Sequence, residues 1–297
     1  MPELPEVEVV RRGLVPHVTN TVIHLVEVRH PRSIRRNIGS FEERLQGTAI
    51  HHISRRGKFM WFVLNGPDAL VVHLGMSGQF RIYPMPTKSS TESERDHPHL
   101  RLRFELDRNS GGLVDLHFLD QRTFGGMHLS PMTETDRGEQ IPESVTHIAR
   151  DPLDPHFSLK EFTSRLTGKT SEIKRVLLDQ TVISGVGNIY ADEALFRSGL
   201  HGSIIAGSLP ERSVEELVTH VKDVMNEALV QGGTSFDALY VHVNGDSGYF
   251  SRSLSVYGRE GEPCERCGSL ISRVKFMNRS SFFCAQCQPR TPVVARK

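Results

Sequence analysis

Between residues 18 and 132, apolar and polar positions alternate with the period of two that a half-buried strand requires. From His99 to Leu106 the apolar set is Leu100, Leu102, Phe104 and Leu106, and from Leu113 to Leu119 it is Val114, Leu116 and Phe118. Phe59–Leu64 and Ala69–Leu74 are denser apolar runs on either side of the turn sequence Asn65-Gly66-Pro67-Asp68. Many short strands with turn signals predict an antiparallel sandwich or barrel. Pro84–Pro98 is polar and aperiodic, which predicts a surface loop.

Near residue 150 the period lengthens to that of a helix, after a linker at Asp151–Pro155. Ser158 predicts the cap of a short helix running through Leu166. Lys174–Gln180, opened by Ser171, predicts a second helix, and Asn188–Arg197 a third. The longest helix opens at Ser208-Leu209-Pro210. It spaces Val214, Leu217, Val218, Val221, Val224, Met225, Ala228 and Leu229 as a core stripe until Gly232-Gly233 stops it. Residues 234–258, rich in Gly, Ser and Asn, predict a long connection. Beyond it, Leu270–Phe276 and Ser281–Phe283 predict two strands around a turn at Met277–Ser280.

The chain of 297 residues is 37% apolar and 24% charged, an ordinary globular balance with length for two domains. No stretch reaches the ~20 unbroken apolar residues of a membrane helix. The first residues lack the basic and apolar regions of a secretory signal. The expected compartment is the cytoplasm. A net charge of +1 conceals basic ends around an acidic middle, which suggests an anionic partner gripped at particular places. Taken alone, such excesses are more often solvated faces.

Three short patterns carry chemistry. Cys264 and Cys267 form one Cys-x2-Cys pair, and Cys284 and Cys287 another, a spacing that suits one tetrahedral Zn2+. A module this small needs the metal to fold, so a structural zinc ribbon with a basic tip is expected. In Gln180–Asn188, Gly185 and Gly187 precede a helix, so backbone N–H groups and the helix dipole favour a phosphate there. On its own that motif more often just connects helices. Finally, Pro2 becomes a secondary amine once Met1 is removed. An α-amino group titrates near ~8, so a nucleophilic fraction exists at neutral pH. With an aldehyde-level sugar carbon such an amine forms a cationic iminium, the electron sink for elimination. Glu3 beside it can move a proton.

Met1-Pro-Glu-Leu-Pro-Glu-Val-Glu, Arg55-Arg-Gly-Lys58, His73-Leu-Gly-Met-Ser-Gly78, Gly185-Val-Gly-Asn-Ile-Tyr-Ala191 and the cysteine pairs occur together and in order. From end to end the chain resembles the bacterial formamidopyrimidine-DNA glycosylase family, whose members are also DNA-(apurinic or apyrimidinic site) lyases. The resemblance implies an α+β chain with an N-terminal antiparallel β-sandwich and flanking helices over 1–135. A helix–two-turns–helix domain over 150–233, a connecting loop and candidate lesion lid at 234–258, and a four-cysteine zinc ribbon at 259–290 would follow.

The same resemblance implies roles. Pro2 is the nucleophile that displaces the damaged base and forms the Schiff base, and Glu3 the proton donor for that step. Lys58 is the proton donor for β-elimination and Arg279 for δ-elimination. Met76, Arg122 and Phe124 fill the void left by a nucleotide rotated out of the duplex. His97, Arg122, Lys169, Lys174 and Asn188 contact DNA, the last two through phosphate, and Glu6 lies near the flipped base. Gln121 and Thr123 stand where the family usually has Pro and a second Arg. The implied partner is duplex DNA holding oxidised purines or abasic sites, bound by a monomer that joins the bacterial nucleoid when acting. The implied activity is base excision repair of 8-oxoguanine and formamidopyrimidines, followed by β,δ-elimination. Alternatives are an endonuclease VIII-like enzyme for oxidised pyrimidines, a non-catalytic damage binder on the same scaffold, and a zinc-ribbon transcription accessory protein. Leu4 and the Met76, Arg122, Phe124 set favour the purine enzyme.

Overall fold

The structure is a computed structural model that describes residues 2–84, 97–108, 111–233 and 253–290. The expected loop at Pro84–Pro98 and connection at 234–258 lie largely outside these residues. Chain contacts divide the molecule into two compact units, Met1–His147 with Gly232–Gly248 and Ile148–Gln231 with Tyr249–Lys297.

In the first unit, helix α1 (Leu4–Val18) follows the extended residue Glu3 and carries Pro5 in its first turn, where no backbone N–H is missed. Leu4, Val7, Val10, Leu14 and Val18 recur at helical spacing and are all buried. This helix had no counterpart among the elements read from the sequence. Eight strands and a short ninth follow, β1 (Thr21–Val28), β2 (Ala49–Arg56), β3 (Phe59–Leu64), β4 (Asp68–His73), β5 (Gly78–Pro84), β6 (Leu100–Arg108), β7 (Leu113–Asp120), β8 (Gly126–Glu134) and β9 (Gln140–Pro142), with a short helix α2 (Phe41–Leu45) before β2. Their antiparallel order is β5-β7-β6-β1-β2-β3-β4-β8-β9.

Only Thr21↔Ile50 and Val22↔Ala49 join β1 to β2, so the sheet has a narrow waist there. About that waist it folds on itself: Phe62 of β3 and Phe80 of β5 lie far apart in strand order, yet their ring centroids are 6.2 Å apart. One core holds Phe62, Phe80, Phe104, Phe118 and the buried face of α1, which makes the unit a sandwich. Alternation held for the inward residues of β7 but not for its polar ones. Asp115 and His117 are also buried, because Tyr83 of β5 covers His117 at 4.7 Å and Arg103 of β6 bonds Asp115 at 2.9 Å.

The second unit contains α3 (Leu159–Leu166), α4 (Ile173–Leu178), α5 (Asn188–Arg197), α6 (Glu211–Val230) and the hairpin β10 (Ile271–Phe276) with β11 (Arg279–Cys284). Ser158 caps α3 by accepting from Glu161 N. The α6 stripe from Val214 to Ala228 is buried as its spacing requires. The hairpin turn is tighter than expected. Phe276 pairs with Arg279, so only Met277 and Asn278 lie outside the ladder, and Met277 takes a positive φ of 53°.

Candidate active site

Pro2 and Glu3 are buried at the head of α1. Val7 N donates to Glu3 O, which opens the helix, and Glu3 N donates to Glu6 Oε2 at 2.8 Å. Glu6 thus fixes the backbone that carries Pro2 and Glu3. It is itself packed by Gly233, where a Cβ would stand 3.1 Å from Glu6 Oε1 and where φ is +83°. Glycine answers both demands.

Lys58 is buried at the β2–β3 turn, which Gly57 closes with a φ of 56°. The two arginines before it point to opposite faces of β2 and are tied on each. Arg55 meets Glu8 of α1 at 3.1 Å and donates to Gly57 O at 3.0 Å. Arg56 meets Glu139 at 2.5 Å. Glu8 also binds Arg11 and Arg12. Burial alone would raise its pKa, but hydrogen bonds and charge from Arg11, Arg55 and Arg12 hold it at about 2. Through Glu8 the first helix and the Lys58 turn become one assembly.

Strand register brings the remaining first-unit motifs alongside. Phe59 pairs with His73, and His73 with Gly126, so Lys58, the His73–Gly78 segment and the Phe124 turn meet at one end of three neighbouring strands. His73 is pushed below the ordinary histidine pKa by burial, then by the Lys58 and Arg36 charges. Its Nδ1 accepts from Gly75 N at 3.1 Å, which leaves the proton on Nε2. The turns interlock through glycine. A Cβ on Gly75, whose φ is +64°, would stand 2.3 Å from Gly125 N.

Asp120, fully buried, joins both turns. Its Oδ1 accepts from Ser77 Oγ at 2.5 Å and Arg122 N at 3.2 Å, and its Oδ2 from Gly125 N at 2.7 Å. Met76 (41% exposed) and Phe124 (54%) are left standing in solvent, and Arg122 Nη1 lies 3.7 Å from Met76 Sδ. Two apolar side chains held out by a buried carboxylate suit insertion into a base stack better than a core role. Thr123 lies between Arg122 and Phe124 with a φ of 53°, a region that a β-branched residue occupies only under strain. His97 is exposed, with its ring 5.5 Å from that of His99.

In the second unit Lys169 is half-buried, its backbone approached so closely by Gly207 that a Cβ there would stand 2.7 Å from Lys169 O. The resemblance gave Lys174 and Asn188 phosphates. Here Lys174 is fully buried, paired with Asp192 Oδ1 at 2.6 Å, and Asn188 Nδ2 donates to Ser280 O at 2.8 Å. Lys174 Nζ reaches the same carbonyl at 3.4 Å. Asp192 also accepts from Ser281 Oγ and Phe282 N. Glu193 accepts from the backbone of Ser255, Val256 and Tyr257. Helix α5 therefore fixes the ribbon hairpin beside Arg279, which is exposed at the first position of β11. Burial pushes the Asp192 carboxyl above its ordinary pKa, with the Lys174 charge opposing.

The sulfur atoms of Cys264, Cys267, Cys284 and Cys287 all lie within 4.8 Å of one another, with Cys267 to Cys284 at 3.4 Å and Cys264 to Cys287 at 3.9 Å. A tetrahedral Zn2+ with ~2.3 Å bonds needs sulfurs about 3.8 Å apart, so the donor set fits one structural zinc. Asp120, Glu8, Glu139, Asp192 and Glu193 escaped the sequence reading. All but Glu139 stand in or near a quoted motif, but each has a partner distant in the chain.

Comparison with known proteins gives these positions a family. Residues 1–127 match the formamidopyrimidine-DNA glycosylase N-terminal domain, 148–238 the formamidopyrimidine-DNA glycosylase H2TH domain, and 261–290 a zinc finger found in FPG and IleRS. The formamidopyrimidine-DNA glycosylase of Mycolicibacterium smegmatis is 55% identical over 99% of both chains. That of Rhodococcus erythropolis is 56% identical over 100% of this chain and 99% of its own. The Lactococcus lactis Fpg, solved in complex with DNA containing an abasic site, superposes with a TM-score of 0.80 at 30% identity, covering 96% of this chain and 99% of its own. With its three family segments in order and relatives matched nearly end to end, the chain belongs to the formamidopyrimidine-DNA glycosylase family.

Proposed function

We propose that this chain is a bifunctional DNA glycosylase and abasic-site lyase of base excision repair, which excises 8-oxoguanine and formamidopyrimidines from duplex DNA. The observation that carries the reading is the Glu8–Arg55 joint, which makes the Pro2-Glu3 terminus and the Lys58 turn one assembly inside this family's scaffold.

The damaged nucleotide leaves the stack, and Met76, Arg122 and Phe124 enter the space it vacates. The Pro2 amine, freed by Met1 removal, attacks C1′ while Glu3 supplies the proton that opens the sugar or leaves with the base. The resulting iminium acidifies the 2′ position. β-Elimination then breaks the 3′ phosphodiester with Lys58 as proton donor, and δ-elimination with Arg279 breaks the 5′ one, leaving a one-nucleotide gap. His97, Arg122 and Lys169 hold DNA. Asn188 contacts phosphate and also sets the ribbon tip through the Ser280 carbonyl, whereas Lys174, buried against Asp192, acts by setting that tip alone. The cysteines hold zinc as a structural ion. The protein works as a monomer in the bacterial cytoplasm, on the nucleoid.

Duplexes that each hold one lesion, incubated with Met1-processed protein, test this reading. 8-Oxoguanine and formamidopyrimidine strands should be cut faster than thymine glycol strands. The reverse order would transfer the chain to oxidised pyrimidines, and binding without cutting would make it a silent damage reader.

A further inference from the structure

The chain from Pro31 to Ile34 forms a single 3-10 turn, and with the two residues after it presents the exposed side chains of Arg32, Arg35 and Arg36. The turn is fastened to β8. Asn37 Nδ2 donates to Ile34 O at 2.8 Å and to Met127 O at 3.0 Å, and its Oδ1 accepts from Leu129 N at 2.8 Å. Gly126 allows the closest approach, since a Cβ there would stand 2.6 Å from Ser33 O.

The three arginines, with His73, Phe124 and His128, line a recess of about 510 Å3 that has no Asp or Glu in its wall. Six other arginines of this unit are met by carboxylates: Arg11, Arg12 and Arg55 by Glu8, Arg44 by Asp68, Arg56 by Glu139, Arg103 by Asp115. Among the described residues, no carboxylate pairs with Arg32, Arg35 or Arg36. Burial and the Arg36 charge hold His128 below its ordinary pKa, so the histidine there brings no negative charge to the arginines. Three like charges gathered on one fastened turn, with no acid among them, make a local positive potential that attracts a polyanion.

We propose that Arg32, Arg35 and Arg36 grip backbone phosphates of duplex DNA next to the point where Phe124 enters the stack. The recess would add phosphate contacts from the first unit to those proposed for His97 and Arg122. The proposal rests on the reading of Phe124 as the wedge. The guanidinium fork matches phosphate geometry, and the fastened turn lowers the entropy lost on binding.

The test is the dissociation constant for a duplex carrying a non-cleavable abasic analogue, measured from 50 to 200 mM KCl. Wild-type protein is compared with the Arg32→Gln, Arg35→Gln, Arg36→Gln triple variant. Each phosphate contact contributes about 0.9 to the slope of log affinity against log salt, so losing two or three flattens it by about 1.8–2.7. Over that fourfold rise in salt the variant should lose roughly 12- to 40-fold less affinity than wild type. Matching circular dichroism and zinc content establish that the variant is folded. An unchanged slope, with or without weaker binding, overturns the proposal. Failure of the parent reading has a different signature, since wild-type protein would then form no borohydride adduct with abasic DNA.

Discussion

Asp120 accepts from Ser77, Arg122 and Gly125 at once, and each bond sets the aim of Met76 or Phe124. Asp120→Asn puts an NH2 group against one of those donors, and a buried unsatisfied donor costs about 1–3 kcal/mol. Excision of 8-oxoguanine from duplex should fall by roughly tenfold or more. Cleavage of a single-stranded abasic oligonucleotide, which needs no wedge, should stay near wild type in single-turnover assays. Equal loss on both substrates would mean that Asp120 serves folding alone. Thr123 carries a different kind of cost. A β-branched residue at a φ of 53° stores strain of order 1 kcal/mol, which Asn tolerates. Thr123→Asn should therefore raise the urea midpoint without changing its slope. An unchanged or lower midpoint would show that the Thr123 side chain contributes more than its backbone costs.

Two joints between elements matter for the chemistry. At the first, Glu8 of α1 holds Arg55 of β2, and its pKa of about 2 lies below the ordinary value of 4.5. A depressed carboxyl contributes stability above its unfolded pKa that is lost as pH falls through the folded one. That contribution is on the order of 2 kcal/mol, reduced from the full shift because Arg12 is largely exposed to solvent. Wild-type protein should lose it between about pH 4.5 and 2, and Glu8→Gln should lack this part of the acid-denaturation slope. Parallel curves would remove Glu8 from the explanation. At the second joint, Asp192 of α5 binds Lys174, Ser281 and Phe282 next to Arg279. Asp192→Asn should leave β-elimination product in place and lower the share of δ-product several-fold on gels of 3′-labelled and 5′-labelled strands. A constant ratio would separate Arg279 from this joint.

Across the whole molecule, the strands, the α6 stripe and the cysteine pairs were legible because each depends on short, repeating spacing. The α1 signal from Leu4 to Val18 was equally regular, but it was eclipsed by the motif it overlaps. What spacing could not reveal were partners set by register and packing. Ser77 and Asp120 are 43 residues apart, Glu8 and Arg55 47, and Asp192 and Phe282 90. For the same reason the resemblance gave Lys174 a phosphate, whereas α5 and the ribbon bury it against Asp192. Chelation should strip one zinc per chain, measured by mass spectrometry, and weaken lesion-duplex binding as the ribbon unfolds. Full binding by zinc-free protein would contradict that dependence.

The most direct measurement is sodium borohydride reduction of the Met1-processed protein on abasic duplex, followed by peptide mapping. A covalent adduct at Pro2, absent when Met1 is retained, is the expected result. An adduct at a lysine, or normal strand cleavage with Met1 in place, would contradict it.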